Sequence, residues 1–150
     1  MAVILQNVRR GDMELLVVME AGQPVGIVIT ALTDRTVLLD YFAMEKRVRG
    51  RGLGSRALQL VLERYGNRQF FLEIESTTAP GRDQALRQRR KSFYLRNGLF
   101  DTGHRIRLFG VDMELLSASP SLPYDACAAV YARLYSGRLA NHVVLLTAGS

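Results

Sequence analysis

The chain has 150 residues, 48% of them apolar, enough to bury one core with little left for a second, so a single domain over residues 1–150 is expected. Its apolar runs fall far short of the ~20 residues a membrane-spanning helix needs, and the N-terminal arginines follow the first apolar stretch instead of preceding it, which argues against a secretory signal and for a cytoplasmic location. The formal charge of +6 comes mostly from arginine, since Lys46 and Lys91 are the only lysines, and such a surplus attracts anions of every kind, so position decides more than number.

In chain order, Met13 to Met19 and the β-branched run Val25 to Ala31 flank Glu20-Ala21-Gly22-Gln23-Pro24 and predict a β-hairpin. Thr36 to Met44 follows the polar turn Thr33-Asp34-Arg35 and extends the hairpin to three adjacent antiparallel strands. Composition then turns basic and glycine-rich, after which Leu53, Ala57, Val61 and Tyr65 recur at helical spacing with Leu58 and Leu62 alongside. Gly66-Asn67 ends that helix. Gln69 to Glu75 alternates Phe70, Leu72 and Ile74 with Phe71, Glu73 and Glu75, the pattern of a half-buried strand, which completes a β-α-β unit. Ser76 to Arg82 reads as a loop, and Asp83 as the cap of a helix carrying Ala85, Leu86, Phe93 and Tyr94 and closing at Asn97-Gly98. Ile106 to Leu116 predicts at least one more strand, Asp125 to Tyr135 a last helix with Ala126, Val130 and Leu134 on one side, and Val143 to Thr147 a terminal strand. Cys127 has no second cysteine to pair with and no His or Cys at ligand spacing, so it reads as a small core residue, and no metal is expected.

The stretch Arg49 to Ser55 holds the most informative chemistry. Gly50, Gly52 and Gly54 alternate between a strand and a helix, with Arg47, Arg49, Arg51 and Arg56 around them. A helix start offers unpaired N–H groups and the positive end of its dipole, and a turn without Cβ atoms lets a phosphate reach them. A P-loop would need a lysine after the glycines, and none follows. A dinucleotide fingerprint would need a glycine where Ser55 stands and a parallel fold before it. The third pattern, [RQ]-x-x-G-x-[GA], is met by Arg49, Gly52 and Gly54.

With that turn, and with Phe93-Tyr94-Leu95-Arg96-Asn97-Gly98-Leu99 similar to the motif F-Y-x-x-x-G-F, the chain resembles the GCN5-related N-acetyltransferases, the GNAT family, over roughly Val17 to Leu115. The departure is Leu99 in place of an aromatic, with Phe100 next to it. The resemblance implies an α/β (α+β) fold, a central, mostly antiparallel twisted sheet with a β-α-β acyl-CoA-binding core and flanking helices. It further implies acetyl-CoA as co-substrate, its pyrophosphate on Arg49, Gly50, Arg51, Gly52, Leu53, Gly54 and Ser55, and its pantetheine arm beside Phe42, Ala43 and Met44. The helix carrying Arg89 and Arg90 would flank the same arm, with one of the two touching phosphate.

Acetyl transfer to an amine needs a base, polarisation of the thioester carbonyl, and an acid for the departing thiolate. The resemblance makes Tyr94 the acid and points to a carboxylate on the strand after the glycine helix as base; Glu73 and Glu75 share a face there, and Glu75, nearer the strand end, is slightly preferred. Asp40 would orient an amine or serve a turn, and His104 and His142 have no partners at useful spacing. Family members usually begin with a strand and two helices that wall the acceptor pocket. Here Ala2 to Arg9 reads as the tail of the second helix, with the first strand and first helix absent. The acceptor side is then completed by a second copy of the chain, or by the segment after Pro120, or the protein binds acyl-CoA without turnover. Nucleic acid is not expected as a partner, since no aromatics interleave with arginines on a strand face and no recognition helix is evident.

Overall fold

The computed structural model describes residues 3–9 and 11–149. Strands β1 (Val3–Arg9), β2 (Met13–Glu20), β3 (Gln23–Leu32) and β4 (Thr36–Met44) form an antiparallel meander. Helix α1 (Leu53–Arg64) connects β4 to its parallel neighbour β5 (Gln69–Glu75). Helix α2 (Gln84–Arg96) leads to the hairpin β6 (Phe100–Leu108) and β7 (Val111–Ser117), and α3 (Tyr124–Leu134) precedes β8 (Val143–Thr147). These strands make one sheet in the order β1-β2-β3-β4-β5-β7-β6-β8, antiparallel except at β4–β5.

Alternation along the strands feeds two apolar layers, one on each face of the sheet. Leu16, Val18, Val37, Leu39 and Leu72 pack with Ala57, Leu58 and Val61 of α1 and with Tyr94 of α2. On the other face Ala31, Leu38, Phe71, Ile106 and Leu115 pack against Cys127, Val130 and Tyr131 of α3. Each such fully buried aliphatic or aromatic side chain contributes roughly 1.5–3 kcal/mol. No helix among the described residues is long and apolar enough to cross a membrane.

Two expectations need correction. Residues 3–9 are not the tail of a helix, and the strand expected to be missing ahead of the hairpin is present: they form β1, paired antiparallel with β2 through Ile4↔Met19 and Gln6↔Val17. Val3 and Leu5 turn into the core while Ile4 stays exposed, a two-residue period that suits a strand covering the free edge of β2. Ala2, part of that expectation, lies outside the described residues. Asp83 does precede α2, but with φ of 66° its side chain makes no capping hydrogen bond. The start of α2 is held instead by the buried guanidinium of Arg87, which donates to the carbonyls of Ser76 (2.6 Å) and Ala79 (3.1 Å). The region Ile106 to Leu116 resolves into parts of two strands, β6 and β7, turning at Phe109-Gly110.

The feature that makes room for a site is the parting of β4 and β5. They pair only from Thr36↔Gln69 to Leu39↔Leu72. Beyond that, β5 stays with β7 as far as Glu75↔Met113, and β4 stays with β3 as far as Met44↔Gly26. The β3–β4 register slips between Ile29↔Tyr41 and Thr30↔Leu39, so Asp40 is the extra residue of a β-bulge, which bends and twists β4 at the point of separation. The bulge also inverts the alternation: Val37 and Leu39 face the α1 layer before it, Phe42 and Met44 after it. Only glycine fits opposite, because a Cβ on Gly26 would lie 2.6 Å from the Met44 sulfur and 2.9 Å from the Ala43 carbonyl oxygen.

Candidate active site

The glycine turn leaves β4 through a short 3-10 turn, Lys46–Val48, whose Val48 is buried. Gly50 and Gly52 have φ of 82° and 75°, a left-handed conformation that side-chain-bearing residues adopt at a cost. Open space surrounds both, so backbone conformation and not crowding demands glycine there. The first bond closing α1 runs from the Arg56 N–H to the Gly52 carbonyl at 3.1 Å. The N–H groups of Leu53, Gly54 and Ser55 therefore have no helical acceptor, and the cap residue, Gly52, has no side chain to offer one.

These amides open onto a cleft of about 920 Å³ between β4, the turn and α2. All the expected binding residues line it except Arg51 and Leu53. Arg51 turns to an ion pair with the buried Glu20 at 3.1 Å, and Leu53 packs on the core. Strand β4 presents backbone to the cleft as well. The Glu45 N–H bonds to the Val25 carbonyl at 2.8 Å, which places Ala43 and Tyr41 in the hydrogen-bonded pairs with β3 and leaves the N–H and C=O of Phe42 and Met44 directed into the gap.

The basic stripe on α2 divides. Arg87 is buried in the fold, and Lys91 donates to Glu114 at 2.6 Å and Asp101 at 2.9 Å. Arg89 and Arg90 line the cleft, joined by Arg96, which the sequence reading had not singled out and which lies over the Phe93 ring. Tyr94 is almost wholly buried and also lines the cleft. Its hydroxyl makes no hydrogen bond among the described residues, and no fully enclosed side-chain polar atom there lacks a partner, so the hydroxyl opens on the cleft. Burial pushes its pKa upward, which keeps it protonated and able to donate.

On the other face of the sheet the chemistry is acidic. Glu73 and Asp40 follow directly on Leu72 and Leu39, the last residues paired between β5 and β4, and so flank the point where the strands part. Burial raises Glu73 from its ordinary 4.5 to about 7, with the hydrogen bond from Tyr131 opposing and the neighbouring charge of Asp40 adding to the rise. Tyr131, buried on α3, donates its hydroxyl to Glu73 Oε2 at 2.5 Å. Partial burial likewise raises Asp40. Glu75 is exposed, opposite Met113 at the end of the β5–β7 pairing. Tyr131 is not among Ala126, Val130 and Leu134, the residues by which the helical period marks the last helix. The available signal was Tyr124, Tyr131 and Tyr135, spaced by seven and four on one helix.

The two histidines lie away from both groups. His104 is buried, with Nε2 bonded to the Leu122 carbonyl and Nδ1 accepting the Gly149 N–H at 2.8 Å. His142 stacks on Phe109 at 4.9 Å. Glu114, buried on β7, accepts from the Thr77 N–H and hydroxyl, both at 2.6 Å, as well as from Lys91. These bonds hold its carboxyl below the usual range against the opposing effect of burial, and they tie the loop after β5 to α2, fixing the helix that carries Tyr94.

The family model described as the acetyltransferase (GNAT) family matches residues 1–96, a span that includes the glycine turn, Glu73 and Tyr94 but not α3. No curated protein matches the sequence closely enough to count as a relative. Among solved structures, the chain is similar to a GNAT-family protein from Bacteroides thetaiotaomicron, with a TM-score of 0.59, 21% identity, and coverage of 73% of this chain and 62% of that one. An IAA acetyltransferase from Bacillus cereus gives 0.60 at 14% identity, covering 77% and 98%. The ribosomal-protein-S18-alanine N-acetyltransferase from Escherichia coli gives 0.57 at 15% identity, covering 76% and 73%. At such identities these likenesses speak for the fold. Together with a family match over well over half its length, they identify the chain as a member of the GNAT family of acetyltransferases.

Proposed function

We propose that the protein is an acetyl-CoA-dependent N-acetyltransferase that moves the acetyl group to a primary amine by direct attack on the thioester. The observation that carries this reading is the parting of β4 and β5 between an anion-binding cleft with the Tyr94 hydroxyl on one face and the Glu73 carboxylate on the other. Acetyl-CoA suits the cleft. Its pyrophosphate meets the free amides before α1 and the guanidiniums of Arg49, Arg89 and Arg90, while the amides of its pantetheine arm continue the sheet along Phe42 and Met44. A solved GNAT acetyltransferase from Elizabethkingia anophelis that shares the fold, with a TM-score of 0.54, contains acetyl-CoA.

The chemistry follows from the two faces. An acceptor ammonium approaching from the α3 side loses a proton to Glu73, directly or through one water; with a pKa of about 7, Glu73 is ionised in part at neutral pH and holds the proton well. The amine lone pair attacks the carbonyl carbon, and the charge that develops on oxygen is met by an N–H of β4 directed into the gap. When the C–S bond breaks, the Tyr94 hydroxyl donates its proton to the thiolate and the second proton shed by the attacking nitrogen restores the hydroxyl through water, giving the acetamide and free CoA. Glu73 suits the base role better than Glu75, because it combines burial with a position next to the last β4–β5 pair.

The test is release of free thiol from acetyl-CoA against polyamines, aminoglycosides, amino acids and peptides. An amine that accelerates release, with its acetamide identified by mass, meets the expectation. Tight acetyl-CoA binding with no accelerating amine, and with Glu73→Gln plus Tyr94→Phe indistinguishable from wild type, would replace the proposal with an acyl-CoA-binding module. The absence of any helix between β1 and β2 among the described residues favours that second reading, because family members use helices there to wall the acceptor pocket.

A further inference from the structure

Helix α3 lies outside the residues matched by the family model, yet it packs on β3 and β4 and brings one hydroxyl onto one carboxylate of the β5 strand. We infer that Tyr131 is a positioning residue of the transfer reaction: it fixes the Glu73 carboxylate at the opening between β4 and β5 and sets the pH at which that carboxylate takes the amine's proton. The inference rests on the proposed role of Glu73 as base, and it adds that the segment after Pro120 completes the acceptor side.

The geometry singles out this contact. Tyr131 and Tyr135 follow one turn apart with rings stacked at 6.3 Å. The Tyr131 ring is locked from below by an edge contact with Phe71 at 5.8 Å, so its hydroxyl has one direction to point. It donates to Oε2 of Glu73, which leaves the second carboxylate oxygen for the substrate proton. A carboxylate held by one buried donor has lost the rotational freedom that would otherwise spread it over several orientations, and it meets the amine already aligned.

The groups facing Glu73 can be named from each neighbouring element: Asp40 on β4, Tyr131 on α3 and Tyr135 at its end, with Cys127 and Tyr124 of α3 next to Tyr131. Across β7 its partner is the apolar Leu115. Burial and then Asp40 push Glu73 upward, and among the described residues the interaction holding it down is the Tyr131 hydroxyl. Cys127 and Tyr131 are themselves pushed up by burial, Cys127 to about 12, and stay protonated through the working range, so the acid limb of the rate profile reports Glu73 modulated by Tyr131, with Asp40 acting in the background.

The experiment is the pH dependence of kcat/KM from pH 5.5 to 9.5 for wild type, Tyr131→Phe, Tyr131 replaced by 3-fluorotyrosine at that position alone, and Glu73→Gln. Tyr131→Phe keeps the ring packing and removes only the donor. Its acid limb should move upward by about one pH unit, costing roughly fivefold at pH 7 and recovering in part by pH 9. The stronger donor, 3-fluorotyrosine, should move the limb the other way. Acetyl-CoA affinity by calorimetry should be the same in all, since Tyr131 is on the face away from the cleft, and this also reports that the variants are folded. An unmoved limb in both Tyr131 variants, with Glu73→Gln inactive, would overturn the positioning role and leave the base intact. A Glu73→Gln variant as active as wild type would overturn the base itself.

Discussion

The two sides of the opening between β4 and β5 are made of opposite chemistry. On the α1–α2 side lie bare backbone amides and the guanidiniums of Arg49, Arg89, Arg90 and Arg96; on the α3 side lie Asp40, Glu73 and the hydroxyl of Tyr131. The proposed co-substrate is a polyanion and the proposed acceptor a cation, so the contrast sorts them by sign to opposite faces before they meet. It also explains why the chain is basic overall while its proposed base sits among acids. The charge belongs to the cofactor side, and the net value of +6 says nothing of the acceptor.

The contrast breaks most severely if the acidic side loses its charge. Glu73→Gln is expected to lower kcat/KM by about 10³ while leaving acetyl-CoA affinity unchanged, as read by steady-state rates and calorimetry. The same variant should be the more stable protein at pH 8. Glu73 has a folded pKa of about 7 above its ordinary 4.5, so its contribution to stability is full below 4.5 and is lost as pH rises through 7. Denaturant melts should therefore show the variant ahead by up to about 3 kcal/mol at pH 8 and level with wild type near pH 4.

On the basic side the expected losses are of affinity. Gly52→Glu places a carboxylate at the helix start and a side chain at φ of 75°, and should weaken acetyl-CoA about a hundredfold by calorimetry. A variant binding as tightly as wild type would remove the turn from the site. Tyr94→Phe sharpens the division from within, because it should spare binding and slow turnover by about tenfold or more, with the deficit shrinking for an acetyl donor whose thiol is more acidic. The smallest effects belong to Arg89→Ala and Arg90→Ala. Each should cost severalfold in affinity, and the loss should fade as ionic strength rises and screens the exposed guanidiniums.

Much of the fold was legible because its elements carry clean periods bounded by glycine or proline. The hairpin, the β-α-β unit, α2 and the terminal strand fall where their patterns put them, and the glycine turn could be separated from its rivals by spacing alone. Residues 3–9 were not legible: seven residues mixing aliphatic and polar types fit a helix end or an edge strand equally, and only the free edge of β2 decides. The insertion of β7 between β5 and β6 is a matter of long-range pairing that no local pattern encodes. In the site, Glu73 and Glu75 are equivalent by alternation. What distinguishes them is where the parallel pairing with β4 stops, and a tyrosine 58 positions later.

The bulge at Asp40 has a consequence for how this protein trades durability against use. Deleting that one residue would restore unbroken alternation in β4, remove a carboxyl already pushed upward by partial burial, and let residues past Leu39 go on pairing with those past Leu72. The product would be a more regular sheet with its opening zipped shut. The separation of β4 from β5 thus turns on a single residue of one strand.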